Sequence, residues 1–204
     1  MRDNSGGSGF NDSLWLFVLA RLFDPEIIVE SGVHKGHSSW IFRQACPNVR
    51  LFCFDITLKK LIHLDENAEY FEKDWMEEDL NDLLENYDKA LIFFDDHINH
   101  ARRIREAKAR GFRWALFDDN LPAEAIYATG GPPLPTLAMM MDPSLQPGCE
   151  LAWTRKGKAY KYRYKAEDVQ GAIEVIETYT MLPDLAQVNH YSLGSGLSVV
   201  KLKR

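Results

Sequence analysis

The side chains best suited to chemistry in this chain are acids, and they stand where apolar runs stop. Glu30 closes a run at 27–29, and Asp55 closes one at 51–54. Asp95 and Asp96 follow 90–94, and Asp118 and Asp119 follow 114–117; Asp74 stands just beyond a short predicted strand at 69–71. Two kinds of chemistry use carboxylates in this number. A single carboxylate accepts from two neighbouring hydroxyls at once, which suits Asp55 to a ribose. Several carboxylates drawn together repel one another unless a cation lies among them or one is protonated. Asp95, Asp96, Asp118 and Asp119 are therefore a candidate site for a hard divalent cation held through oxygen. No cysteine–histidine set competes, which favours magnesium over zinc and leaves manganese or calcium open. His97 and His100 stand just past Asp96. An imidazole titrates near neutrality, so both are candidate proton acceptors, His97 the better because it adjoins the acids.

Acids so scattered can act together only if the fold gathers them. Predicted strands at 27–30, 50–55, 69–71, 90–94, 114–117 and 197–202 alternate with predicted helices at 14–23, 38–45, 58–64, 77–86, 98–109 and 166–182. The strands are almost continuously apolar, as in a parallel sheet covered on both faces. The expected fold is α/β: a Rossmann-like, doubly wound, mostly parallel sheet with helices on both faces and an antiparallel C-terminal strand. In such sheets ligands bind outside the carboxyl ends of the strands, where these acids fall. Leu14, Phe17, Val18 and Leu22 read as the core face of the first helix, Ser38 and Ser39 as caps of the second, and Val169, Ile173 and Ile176 as one face of the last.

The 204 residues carry a net charge of -6, which argues against a general nucleic-acid binder. The expectation is one domain, 1–204, with a flexible Gly/Ser-rich start at 1–9 and a lid or substrate loop at 121–148, rich in Pro, Gly and Met. Cys46, Cys53 and Cys149 show no zinc or disulfide spacing, so a reducing cytoplasm is the simple expectation. The run at 14–23 is too short to span a bilayer and contains Arg21. Tyr160-Lys161-Tyr162-Arg163-Tyr164-Lys165 alternates with period two. It reads either as an edge strand whose lysines discourage aggregation or as a basic face for an acidic substrate or partner.

The stretch VESGVHKGHSS, from Val29 to Ser39, resembles the first motif of class I S-adenosylmethionine-dependent methyltransferases. It is closest to the form found in macrocin-type O-methyltransferases and cephalosporin-hydroxylase-like proteins, in which a larger residue replaces the middle glycine. His34 and Lys35 fit that rule. FFDDHINH and FDDN are similar to the metal-binding acids of the same subgroup, which implies Asp95, Asp118 and Asp119 as ligands. They also resemble catechol O-methyltransferases, which imply Asp96, Asp119 and Asn120. The resemblance covers roughly residues 25–120. It implies that Glu30, Ser31, Gly32, Gly36 and Ser38 line the methionine part of the cofactor, with Asp95 beside them. Asp55 would hold the ribose, and Asp74 would sit near the adenine with Trp75 and Met76 flanking the ring. The implied activity is methyl transfer from S-adenosylmethionine to a hydroxyl of a sugar, phenol or natural product, assisted by Mg2+. The alternatives are a cephalosporin-hydroxylase-like enzyme on the same scaffold and a non-catalytic cofactor- or metal-binding module. The expected partner is the small-molecule acceptor, with neither nucleic acid nor membrane, and a homo-oligomer is compatible with the sequence.

Overall fold

The computed structural model describes residues 4–81, 87–128, 131–191 and 196–204. Helix α1 (Phe10–Phe23) leads into strand β1 (Ile27–Ser31) and helix α2 (His37–Ala45), followed by β2 (Arg50–Asp55) and β3 (Ala68–Glu72). Then come β4 (Ala90–Phe94), α3 (His100–Ala109) and β5 (Trp114–Phe117). A short helix α4 (Leu137–Met140) precedes the strands β6 (Glu150–Arg155) and β7 (Lys158–Arg163). The chain ends with α5 (Ala166–Val169), β8 (Ile176–Met181), α6 (Ala186–Asn189) and β9 (Ser198–Leu202).

Seven strands form one sheet in the order β3-β2-β1-β4-β5-β9-β8, and β6 and β7 form a separate hairpin. Strands β1 to β5 are parallel, while β9 runs antiparallel to both of its neighbours. The chain leaves β1 towards β2 and β3, then returns to β4 on the other side of β1. That reversal opens a crevice beyond the carboxyl ends of β1 and β4. Burial explains the apolar strands: every residue of β1 and β4 is buried. One face of the sheet packs Leu16, Leu19 and Ala20 of α1 with Ile41 and Phe42 of α2. The opposite face packs Ala101, Ile104 and Ala107 of α3 with Trp75 and Phe112.

Four expected elements differ. In α1 the buried stripe is Leu16, Leu19 and Ala20, while Leu14, Phe17 and Leu22 are exposed. The segment 58–64 is not helical, because the Ile62 and His63 amides are spent on the Lys35 carbonyl. At 77–86 only the 3-10 turn Trp75–Glu77 is seen, and 82–86 lie outside the described residues. The expected helix 166–182 stops after Val169, where Gly171 turns at φ +75°. The β-branched run from Ile176 then extends as β8 and pairs with β9. Among the described residues no helix is long and apolar enough to cross a membrane.

Candidate functional site

The loop between β1 and α2 is where the sheet meets its ligand space. Gly32 has φ +99°, and a Cβ there would collide with the Asp95 backbone at the end of β4. Gly36 caps α2 at φ +83°, and a Cβ there would meet the His63 carbonyl. Glycine is thus required both for the turn and for the close approach of neighbouring chain.

This loop opens on a cleft of about 450 Å³, a volume suited to a cofactor-sized ligand. Ser31, Gly32, Ser38, Asp55, Asp74 and Asp95 line it. Asp55 Oδ2 accepts from the Val33 and His34 amides at 3.0 and 2.9 Å, and Oδ1 accepts from the Thr57 amide at 3.0 Å. The carboxylate therefore fixes the loop and retains about one of its roughly four lone-pair sites for a ligand hydroxyl. His34 and Lys35 also line the cleft, and Lys35 Nζ reaches across to Ser5 Oγ at 2.6 Å. Through that contact the segment Asn4–Ser8 lies along the mouth.

Glu30 and Gly36 do not line the cleft; they support it from behind. Glu30 is fully buried and accepts from the Ser38 and Ser39 hydroxyls and, at 3.5 Å, from the Cys53 thiol. Ser38 and Ser39 thus anchor α2 to β1 rather than cap the helix. Burial pushes the Glu30 carboxyl up to about 7, although its three donors pull the other way. Trp75 is buried between Phe94 and Phe112, so it belongs to the core and does not flank a ligand ring. Met76 packs against the same core.

The acids at the ends of β4 and β5 separate into two groups. Asp95, His97 and Asp119 each present a ligand atom within 4.8 Å of the others. His97 Nδ1 lies 3.1 Å from Asp119 Oδ2, and both residues reach this position through left-handed backbone, φ +58° and +52°. The Asp119 hydrogen bond raises the imidazole above its ordinary range, against the effect of burial. Burial, then the charges of Asp118 and Asp119, raise the Asp95 carboxyl well above its ordinary range. The structure therefore places His97, expected as a base, among the candidate ligands.

Asp96 and Asp118 stand apart from that cluster. Asp96 Oδ2 accepts from Ser31 Oγ at 2.5 Å and from Arg103 Nε at 2.8 Å, and Oδ1 accepts from the Ile98 amide. Asp118 is buried and accepts from the Asp119 amide at 2.9 Å. Asn120 is no ligand either. It donates to Tyr179 and Ser198 and accepts from the Ala138 amide at 2.6 Å, tying the segment after β5 to β8 and β9. His100 is buried, with Nδ1 accepting from the Leu137 amide at 3.1 Å and the ring also bonded to the Asp118 backbone. Burial lowers it to about 3. Neutral and doubly bonded, it is a structural residue and not a base.

Sequence reasoning missed Arg103. It is buried on the cleft wall and bonds Asp74 at 3.2 and 2.7 Å, Asp96 at 2.8 Å and Glu106 at 2.6 Å. Burial raises Asp74, but Arg103 and the Met76 amide outweigh it and leave that carboxyl below its ordinary range. A signal was present. Positions 100, 103, 104 and 107 share one helical face, so Arg103 lies on the buried side of α3.

No protein-family model and no curated protein matches the chain. Solved structures do. A Klebsiella pneumoniae protein designated an O-methyltransferase superposes with a TM-score of 0.59 at 17% identity, covering 98% of this chain and 83% of that one. The O-methyltransferase TomG from Streptomyces achromogenes, solved with S-adenosylmethionine, gives 0.52 at 15%, covering 95% and 80%. A methyltransferase from Geobacter sulfurreducens gives 0.54 at 14%, also covering 95% and 80%. The fold is the Rossmann-like methyltransferase fold. At these identities the likeness carries the architecture alone.

Proposed function

We propose that the chain is an S-adenosylmethionine-dependent O-methyltransferase, assisted by a divalent cation and acting on a hydroxyl. The observation that carries this reading is the meeting of the glycine-loop cleft with the Asp95–His97–Asp119 cluster, which share Asp95 and His97 in their walls. Ser31, Gly32, Ser38 and Asp55 would hold the cofactor. Asp95 and Asp119, with His97 as a nitrogen donor, would hold the cation. The two carboxylates suit magnesium or manganese, and the imidazole also admits a borderline ion such as iron or zinc.

When bound, S-adenosylmethionine supplies an electrophilic methyl on a sulfonium, and the cation supplies positive charge where an alcohol becomes an alkoxide. The chain itself supplies position. Asp55 fixes the loop, and Gly32 sets that loop against the end of β4. Asn120 fixes the segment that would cover the acceptor, which excludes water from the reaction.

Calorimetric titration with S-adenosylhomocysteine, with and without Mn2+ or Mg2+, tests the reading. One-to-one micromolar binding is expected, followed by release of S-adenosylhomocysteine from S-adenosylmethionine when a hydroxylated acceptor is added. Folded protein that binds no S-adenosylhomocysteine would overturn it.

A further inference from the structure

The β6–β7 hairpin stands outside the main sheet and concentrates positive charge. Arg155, Lys156, Lys158, Lys161, Arg163 and Lys165 occur with no acid between Glu150 and Glu167. Elsewhere the chain has 18 basic and 30 acidic residues, so a cationic hairpin is set against an acidic body. Two of these cations have acid partners, Lys161 with Glu150 and Lys165 with Glu167, and both pairs are exposed. Among the described residues, Arg155, Lys156, Lys158 and Arg163 form no ion pair with an acid.

The two faces of the hairpin differ. Leu151, Trp153 and Tyr162 turn inward and pack with Ile126, Met139 and Tyr164. The other face carries Ala152 opposite Lys161, Thr154 opposite Ala159 and Glu150 opposite Arg163. It is a flat strip of small side chains with Lys161 and Arg163 on one strand and a single acid, Glu150, on the other. Lys161 and Arg163 stand two residues apart on one strand, about 7 Å along it. The hairpin also neighbours the proposed metal cluster. Pro133 lines a recess with Asp95, His97 and Asp119, while the next residue, Leu134, packs into the hairpin's apolar cluster.

We propose that this hairpin binds the acidic groups of the methyl acceptor, and that the acceptor is an acidic oligosaccharide carrying carboxylate or sulfate groups beside its hydroxyls. The inference rests on the methyltransferase reading for the word acceptor, but the anion site stands on the hairpin alone. Single-stranded nucleic acid fits less well. Its binding sites pair cations with aromatic platforms for the bases, and here Trp153 and Tyr162 are turned into the protein. A longer nucleic acid would also cross the acidic body.

The test is titration of the full chain with a heparin-derived hexasaccharide in low salt, without cofactor. Micromolar binding is expected, at least tenfold weaker in 300 mM NaCl as screening grows. It should also be at least tenfold weaker in the Lys161→Ala/Arg163→Ala/Lys165→Ala variant, whose three cations share that face of the hairpin by alternation. Neutral maltohexaose should not bind. The single variant Arg163→Ala, expected to lose several-fold, guards against misfolding of the triple variant. Absence of hexasaccharide binding, binding unchanged in the variants, or tighter binding of a 12-nucleotide RNA would overturn the proposal. S-adenosylhomocysteine is titrated separately, and its affinity should be the same in all three proteins. Failure of that titration bears on the methyltransferase reading and leaves the hairpin result to be read by itself.

Discussion

His97 is a candidate for two roles, ligand and base, that one substitution separates. His97→Gln should weaken Mn2+ binding at least tenfold, measured by calorimetry, if its ring is a ligand; unchanged metal affinity with a lost methylation rate would make it a base instead. His100→Ala belongs to a different class. It removes a buried ring that accepts the Leu137 amide, so it should cost about 2–3 kcal/mol of stability in urea. Its effect on metal affinity should be small. Glu30 gives a pH signature. Its carboxyl is raised from an ordinary 4.5 to about 7 in the fold, so the folded chain binds the extra proton between those values. Its stabilising contribution is fully present below pH 4.5 and is lost as pH rises through 7, on the order of 3 kcal/mol. Glu30→Gln should remove that slope, bringing the urea midpoints at pH 5 and pH 8 closer together than in the wild type. At this scale the sequence revealed which acids end strands but not which way each side chain turns. Asp119 was common to both family templates and does join the cluster. Asp96, one residue from Asp95, faces Arg103 instead. Strand ends fix position, whereas direction depends on the backbone beyond them, here the left-handed His97 and Asp119.

Strands β1, β2, β4 and β5 were legible because burial on both faces leaves apolar runs, whereas β3, at the sheet edge, has no buried residue. The last predicted helix was not legible. Val169, Ile173 and Ile176 fit a helical period, but Gly171 breaks it, and only the exposed edge of β9 rewards an extended Ile176–Met181. Period alone cannot arbitrate between local preference and a sheet edge that needs a partner. The glycine loop yields a further prediction. Gly32→Ala would force a methyl into the Asp95 backbone and hold a left-handed residue besides. It should lower the thermal midpoint by several degrees and abolish S-adenosylhomocysteine binding in calorimetry. Asn120→Ala should act differently. It frees the segment after β5 from β8 and β9, so the acceptor KM should rise while S-adenosylhomocysteine affinity stays within about two-fold.

For the whole molecule, the sheet reversal brings β1 and β4 together and so places the two proposed ligands in one crevice. Asp55→Ala should weaken S-adenosylhomocysteine at least tenfold and leave Mn2+ affinity nearly unchanged, since the loop it fixes belongs to the cofactor side. Asp119→Ala should do the reverse. Both are read by paired titrations, with circular dichroism confirming that the variants fold. The charge separation between the hairpin and the body was visible in the sequence as a run of cations without acids. What lay beyond the sequence was that the ribbon forms a hairpin of its own and not an edge of the main sheet.

Gly32 rests on the Asp95 backbone and Ser31 is bonded to Asp96, so the cofactor loop and the acid turn are held as one piece. If each ligand tightens its own half of that piece, the two must be heterotropic effectors of each other. Whatever factor Mn2+ adds to the affinity for S-adenosylhomocysteine, S-adenosylhomocysteine must return to Mn2+.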